Sequence, residues 1–254
     1  MRNAKLCISV IVIILSLLCF VRKTLAEPYV GGYLGLASAA DSDFKNADLI
    51  FLSDNAATFD DDFSTNIDSS FTFGLRAGYW FDFLPLIGVQ FDLYFFNPDI
   101  SIPASRIVSN IEDDFNFFEF DVNVVALGFS VLGRYPFLKS PEFPRGRLQP
   151  YLGLGPAIFI TSWDDQESDT DLNIGSETVV NGGLQFMAGA SFFIREAISV
   201  FAEYKFTHHV TQIGGIAAED RDGDGFTEIV NISLVGNQPF NVSHFTFGVT
   251  YHFY

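Results

Sequence analysis

Cysteine is nearly absent from this chain, and its distribution is uneven. The only two cysteines, Cys7 and Cys19, lie within the first 26 residues. Residues 27–254 therefore have no thiol to mispair in an oxidising compartment, and they cannot build a disulfide framework. The fold of that part must rest on packing and hydrogen bonds.

Positive charge is also scarce. Lys and Arg number 14 against 31 Asp and Glu, so the net charge is −17. Residues 1–26 hold four of the positive charges and no negative one, so residues 27–254 carry −17 − 4 = −21. Such an acidic chain disfavours nucleic acid as a partner, because both would be negatively charged. Divalent cations or basic surfaces fit it better.

Only one long apolar run is present. Residues 6–21 (LCISVIVIILSLLCFV) follow Arg2 and Lys5, and the small residue Ala26 comes shortly after them. This pattern predicts a secretory signal peptide over residues 1–26, cleaved after Ala26, with an uncleaved helical anchor as the alternative. No other run of about 18 apolar residues remains, which excludes a further transmembrane helix.

Phenylalanine, in contrast, is abundant, with 30 residues, and it recurs with a period of two. In the stretch 241–254 (NVSHFTFGVTYHFY), one strand face holds Phe245, Phe247, Val249, Tyr251 and Phe253. The other face holds Thr246, Gly248, Thr250 and His252. One aromatic face and one polar face predict a strand that has lipid on one side and a polar interior on the other.

Eight segments alternate in this way: 28–38, 71–81, 86–96, 116–135, 148–163, 179–194, 198–207 and 241–254. In the fourth segment the apolar phase changes. The first outward set is Phe118, Phe120, Val122 and Val124, and the later set is Leu127, Phe129, Val131 and Tyr135. A β-bulge near Val125 and Ala126 would explain the change, because one extra residue reverses which face points outward.

The connections alternate in length. Short or proline-rich ones cover 81–85, 136–147 and 195–197, and long, polar, acidic ones cover 39–70, 97–115, 164–178 and 208–241. We therefore predict an all-β fold for residues 27–254: an eight-stranded antiparallel up-and-down transmembrane β-barrel with four long acidic extracellular loops. The alternative is a soluble β-sandwich or lipocalin-like barrel. Glycines recurring on the polar face, such as Gly74, Gly78 and Gly153, favour the interior of a narrow barrel.

Three strings together resemble a known family. They are LQPYLGLGP (148–156), FAEYKFTH (201–208) and the closing FTFGVTYHFY (245–254), and VLGRYP (131–136) fits the end of the family's fourth strand. They resemble the outer-membrane β-barrel domain family, the porin-like and opacity-type proteins of Gram-negative bacteria related in fold to OmpA and OmpX. The resemblance implies the bacterial outer membrane, with outer-membrane lipids, lipopolysaccharide and the barrel assembly machinery as partners.

Charged residues on the inward faces are the first candidate site. Arg76, Asp92, Arg134, Glu203 and Lys205 would meet inside the barrel, together with Gln90, Asp121 and Gln185. An eight-stranded barrel has little free interior, and buried charges must pair. We expect a salt-bridge network with Glu203 near Arg76 or Arg134, acting as a structural plug, with an ion gate as the alternative.

A second candidate is a possible Ca²⁺ site in the last long loop. Asp220, Asp222, Asp224 and Glu228 place oxygen ligands around glycines, as calcium requires. An EF-hand loop has Glu at its twelfth position. Counted from Asp220, the twelfth residue here is Asn231, so the full EF-hand pattern is not met. An ordinary Asp-Gly turn is the alternative. No cofactor is otherwise required.

An enzymatic arrangement is the weakest candidate. His208, His209 and Thr211, with Glu203 as the supporting acid, resemble the hydroxyl–His–acid set of barrel lipid A deacylases, with Thr in place of Ser. We expect no enzyme. The leading function is a structural or surface-interaction barrel whose loops meet an extracellular ligand or lipopolysaccharide. A narrow passive porin comes second and a lipid A-modifying enzyme third.

Overall fold

The computed structural model describes residues 27–40, 42–50, 58–60, 63–103, 116–165, 177–213 and 233–253. The predicted signal peptide lies outside these residues. These described residues form twelve strands: β1 (Glu27–Ala39), β2 (Ser42–Ile50), β3 (Thr58–Asp60), β4 (Phe63–Ile67), β5 (Ser70–Trp80), β6 (Ile87–Phe96), β7 (Asp99–Pro103), β8 (Asn116–Arg134), β9 (Leu148–Asp165), β10 (Glu177–Arg195), β11 (Ile198–Ile213) and β12 (Ser233–His252). Among the described residues, no helix has the length and hydropathy needed to cross a membrane.

Eight of these strands close into an antiparallel barrel. Their order is β1, β5, β6, β8, β9, β10, β11 and β12, and β12 pairs with β1 again. The closing seam runs from Tyr29 opposite His252 to Ala39 opposite Val242. The predicted eight-stranded up-and-down barrel is confirmed, and each predicted segment overlaps one barrel strand. Closure leaves the barrel without the free edges that make open sheets aggregate.

The two faces of the barrel are the reverse of those in a soluble protein. Outward aromatic and aliphatic side chains are exposed, for example Phe71 at 79 % and Phe247 at 63 %, whereas the inward charged side chains of Arg76 and Asp92 are buried. A soluble sandwich or lipocalin-like barrel would bury the apolar face. An outer surface of exposed aromatic and aliphatic side chains is suited to contact with lipid.

Strand β8 differs from the prediction. Its pairing with β6 and β9 keeps one register throughout, so there is no bulge near Val125 and Ala126. Val122 and Val124 point inward and are buried, and Asp121 lies on the outward face. The prediction was wrong because the interior at this end of the barrel is itself apolar, so hydrophobicity could not tell the two faces apart.

The sheet also continues beyond the predicted strand ends. β11 extends to Ile213 and β12 begins at Ser233, and the short strands β2, β3, β4 and β7 add to the sheet within segments predicted as long loops. At the opposite end, β5–β6, β8–β9 and β10–β11 are joined by residues 81–86, 135–147 and 196–197. The parts of the predicted acidic loops at 51–57, 104–115, 166–176 and 214–232 lie outside the described residues.

Candidate functional site: the filled barrel interior

An Arg–Glu pair crosses the middle of the barrel. Nη1 of Arg76 lies 3.2 Å from Oε2 of Glu203, and both side chains are almost fully buried. Tyr151 donates its hydroxyl to the same carboxylate oxygen at 2.7 Å, and Arg76 donates through Nη2 to Oγ1 of Thr250 at 3.1 Å. The guanidinium carbon of Arg76 lies 3.2 Å from the ring centroid of Phe201. Strands β5, β9, β11 and β12 thus meet at one buried charge pair.

A second pair lies beside the first. Nζ of Lys205 is 3.3 Å from Oδ1 of Asp92 and 3.9 Å from Oε1 of Glu203. Lys205 also donates to the hydroxyl of Tyr33 at 3.0 Å, and Gln90 donates to Oδ2 of Asp92 at 2.8 Å. The two cations and two carboxylates cancel in net charge. Such pairing is what a low-dielectric interior requires.

The third cluster closes the short-turn end, and its centre is Glu27. Arg134 and Arg145 place guanidinium nitrogens 2.7 Å and 3.1 Å from Oε2 of Glu27. Nδ1 of His252 lies 2.8 Å from its Oε1. Arg134 also stacks its guanidinium 4.1 Å from the ring of Trp80. Arg134 therefore meets Glu27 and not Glu203, the partner that the sequence left open.

Sequence reasoning missed Glu27. The available signal was the period of two, because Glu27 has the same parity along β1 as the inward-facing Tyr29 and Tyr33. The first predicted strand begins at residue 28 and therefore omits Glu27 by one position.

The opposite end of the interior is apolar and aromatic. The ring of His209 stacks between Phe159 at 4.0 Å and Phe240 at 5.1 Å, with nearly parallel planes. His244 packs edge-on against Phe96 at 5.0 Å. In the described part of the chain neither ring nitrogen of His209 has a hydrogen-bond partner. This layer excludes water from the barrel by packing.

Between the central charge pairs and the Glu27 cluster, the described side chains leave little empty space. A cavity of about 20 Å³ lies between the two charged layers, lined among others by Tyr29, Arg76, Trp80 and Arg134. That volume has room for roughly one water molecule. Among the described residues, the side chains therefore obstruct the barrel at three successive levels: the Glu27 cluster, the central charge pairs and the aromatic layer.

The suggested hydroxyl–His–acid set is not assembled. His208 is exposed on the outer face and lies 2.7 Å from Oδ1 of Asn241, whereas His209 points inward. Thr211 accepts a hydrogen bond from Asn181, and Glu203 is engaged by Arg76 and Tyr151. A general base must lie within hydrogen-bonding reach of the group it activates. No such contact joins Thr211 to His209.

The possible Ca²⁺ ligands Asp220, Asp222, Asp224 and Glu228 lie outside the described residues. Within the described ranges, no three His, Cys, Asp or Glu side chains are grouped closely enough to hold a metal ion.

Comparisons with known proteins agree with the geometry. The family model of the outer membrane protein beta-barrel domain matches residues 11–253. OprG from Pseudomonas aeruginosa is similar over 90 % of this chain and 96 % of its own, with 13 % identity and a TM-score of 0.51. Neisserial surface protein A covers 89 % and 97 %, with 14 % identity and a TM-score of 0.46. Ail of Yersinia pestis covers 90 % and 98 %, with 11 % identity and a TM-score of 0.41. No curated protein sequence matches the chain.

Proposed function

Because the chain belongs to the outer membrane β-barrel domain family of Gram-negative bacteria, we propose that it is a non-conducting barrel with a structural and surface-interaction role. In this proposal the barrel anchors the chain in the outer membrane, and the segments beyond the barrel make the functional contacts. Neither catalysis nor solute passage is its task.

The observation that carries the proposal is the filled interior. Passive diffusion needs a continuous water path, and eight-stranded barrels of this kind have side chains where larger porins have a channel. Here the central pairs Arg76–Glu203 and Lys205–Asp92 are buried, and each pair is hydrogen-bonded to a tyrosine hydroxyl. A gate would need these pairs to separate, which would leave buried charges without partners at a cost of about 3–5 kcal/mol for each broken pair.

Conductance measurements test directly whether the barrel is closed to ions. We expect the refolded chain to give no steady conductance steps in planar lipid bilayers at neutral pH and moderate salt. Migration on unboiled gels provides the control, because a closed barrel resists detergent until it is heated, so a silent but unfolded sample would be recognised. Reproducible single-channel steps from heat-modifiable protein would favour the passive-porin alternative and contradict the proposal.

The negative charge of the outward-facing segments supports the surface-interaction role. Residues 27–254 carry a large negative excess, and the segments predicted to face outward hold most of it. Carboxylates cannot bind lipopolysaccharide phosphates directly, but Ca²⁺ can bridge the two because it takes oxygen ligands from both. We place the strongest bridging site in the loop at Asp220, Asp222, Asp224 and Glu228.

We expect the chain in nanodiscs to bind lipopolysaccharide in millimolar Ca²⁺ and to release it when EDTA is added. Changing Asp220, Asp222 and Asp224 to Asn should weaken the Ca²⁺-dependent part about tenfold, since each removes one charged oxygen ligand. The matched control changes Asp165, at the end of β9, and Asp169 and Asp171, in the β9–β10 connection, to Asn, which removes the same charge elsewhere. If both triple variants bind equally well, the loop is an ordinary turn.

A further inference from the structure

A groove opens at the short-turn end of the barrel, outside the interior. It lies between the β8–β9 connection and the β10–β11 turn and has a volume of about 520 Å³. Four charged side chains line it, Glu142, Arg147, Arg195 and Glu196, with Phe143 and Ile194 among the apolar ones. The volume is within the range of small-molecule sites, which is roughly 300–1,000 Å³.

The four charged side chains of the groove are exposed. In the described part of the chain none of them lies within the 4.0 Å that defines an ion pair, although two are cations and two are carboxylates. Arg147 is nevertheless held in place, since its Nε donates to the carbonyl of Phe193 at 3.2 Å. Charges of both signs therefore surround one space without neutralising each other.

One wall of the groove continues onto the lipid-facing surface. Arg147 places its guanidinium 4.8 Å from the ring of Phe192 and 5.2 Å from that of Phe143. Phe192 belongs to the outward face of β10, and Ile194, two residues on, is half exposed. The guanidinium of Arg147 therefore lies over aromatic rings where the groove meets the lipid-facing surface, an arrangement in which the cation is attracted to the ring faces.

From these contacts we propose that the groove binds the phosphoethanolamine headgroup of a membrane phospholipid. Arg147 and Arg195 donate to the phosphate, for which the guanidinium fork is well matched. Glu142 and Glu196 accept the ammonium group. Phe143 and Ile194 contact the glycerol and the start of the acyl chains. A purely anionic headgroup leaves both carboxylates repelled, and a choline headgroup has no N–H to donate to them.

The occupant is a membrane lipid and not a free phosphoester, because the apolar wall joins the groove to the lipid-facing surface. A soluble headgroup would leave Phe143 and Ile194 without a partner. The site is independent of the outward-facing segments, so its test and the tests of the surface role can fail separately.

Lipid retention in native mass spectrometry tests the proposal. The full chain is placed in nanodiscs of equal parts phosphatidylethanolamine, phosphatidylglycerol and phosphatidylcholine, and the lipids still bound after release are identified. We expect phosphatidylethanolamine to be retained in preference to the other two. Arg147→Gln with Arg195→Gln should reduce its retention about fivefold, as the loss of two partly exposed charge contacts implies.

A second pair of substitutions tests whether the lipid selectivity of the groove can be reversed. Glu142→Gln with Glu196→Gln leaves a cationic groove, so phosphatidylglycerol should now be retained at least as well as phosphatidylethanolamine. Lys139→Gln, a cation of the same connection outside the groove lining, is the matched control and should change nothing. All variants are checked for heat-modifiable migration, which shows a closed barrel.

Three results would overturn the proposal. The native chain could retain the three lipids equally, or it could prefer phosphatidylglycerol, which would indicate a plain anion site. Soluble glycerophosphoethanolamine could displace the bound lipid at equal concentration, which would show that the acyl part contributes nothing.

Discussion

Glu203→Gln is expected to lower the free energy of unfolding of the barrel by about 3 kcal/mol, measured by urea titration in lipid vesicles. The substitution keeps the shape of the side chain but removes its charge. Arg76, whose Nη1 lies 3.2 Å from this carboxylate, would remain buried without an anion. Lys205 is affected less, because Asp92 lies closer to it than Glu203 does.

Two further variants separate the charge effect from a general loss of polarity. Glu196→Gln makes the same chemical change at an exposed position and should leave stability unaltered. Adding Arg76→Met to Glu203→Gln removes the stranded cation, so part of the lost stability should return, since a buried ion pair replaced as a whole costs little. Equal stability of Glu203→Gln and Glu196→Gln would show that Arg76 does not depend on this carboxylate.

Much of the barrel could be predicted from the period of two in the sequence. The alternation is strong wherever one face meets lipid and the other meets charge, and strands β5, β6, β11 and β12 were assigned to the correct faces for that reason. The alternation does not distinguish the faces of β8, because Val122 and Val124 face an apolar interior. Hydrophobicity identifies a face only when the two surroundings differ in polarity.

The strands beyond the barrel could not be predicted for a related reason. β12 begins at Ser233, where the predicted strand begins at 241, and β2 pairs with this added part. Outside the lipid neither face must be apolar, so the backbone forms a sheet without an amphipathic pattern. Hydrogen bonding, which every residue except proline can provide, is then the only requirement.

Partner choice inside the barrel was equally hard to predict. The alternation of side chains along each strand predicts that Arg76, Arg134 and Glu203 point into the interior. Their positions along the barrel axis, however, depend on the stagger between strands. That stagger puts Arg134 of β8 level with Glu27 of β1 and Arg76 of β5 level with Glu203 of β11. Shear is a property of the closed barrel, and it is not encoded in any one strand.

The closing seam is a place where one small change should have a large effect. Gly35 of β1 lies opposite Thr246 of β12. A Cβ added at Gly35 would overlap the carbonyl oxygen of Phe245. That atom belongs to the backbone, so the clash cannot be relieved by rotating a side chain. Gly35→Ala should therefore separate the first and last strands, at a cost of about 3 kcal/mol or more in unfolding free energy.

Gly32→Ala in the same strand is the matched control, because a Cβ there would meet only Cδ2 of Leu75 at 3.7 Å and the carbonyl oxygen of Gly74 at 3.9 Å, both ordinary contacts. On unboiled gels, Gly32→Ala should keep the compact migration of the native barrel, and Gly35→Ala should migrate as unfolded chain at a lower temperature or throughout. Identical melting of the two variants would mean that β1 and β12 can move apart at Gly35 without cost. The first and last strands would then not be the element that holds this barrel closed.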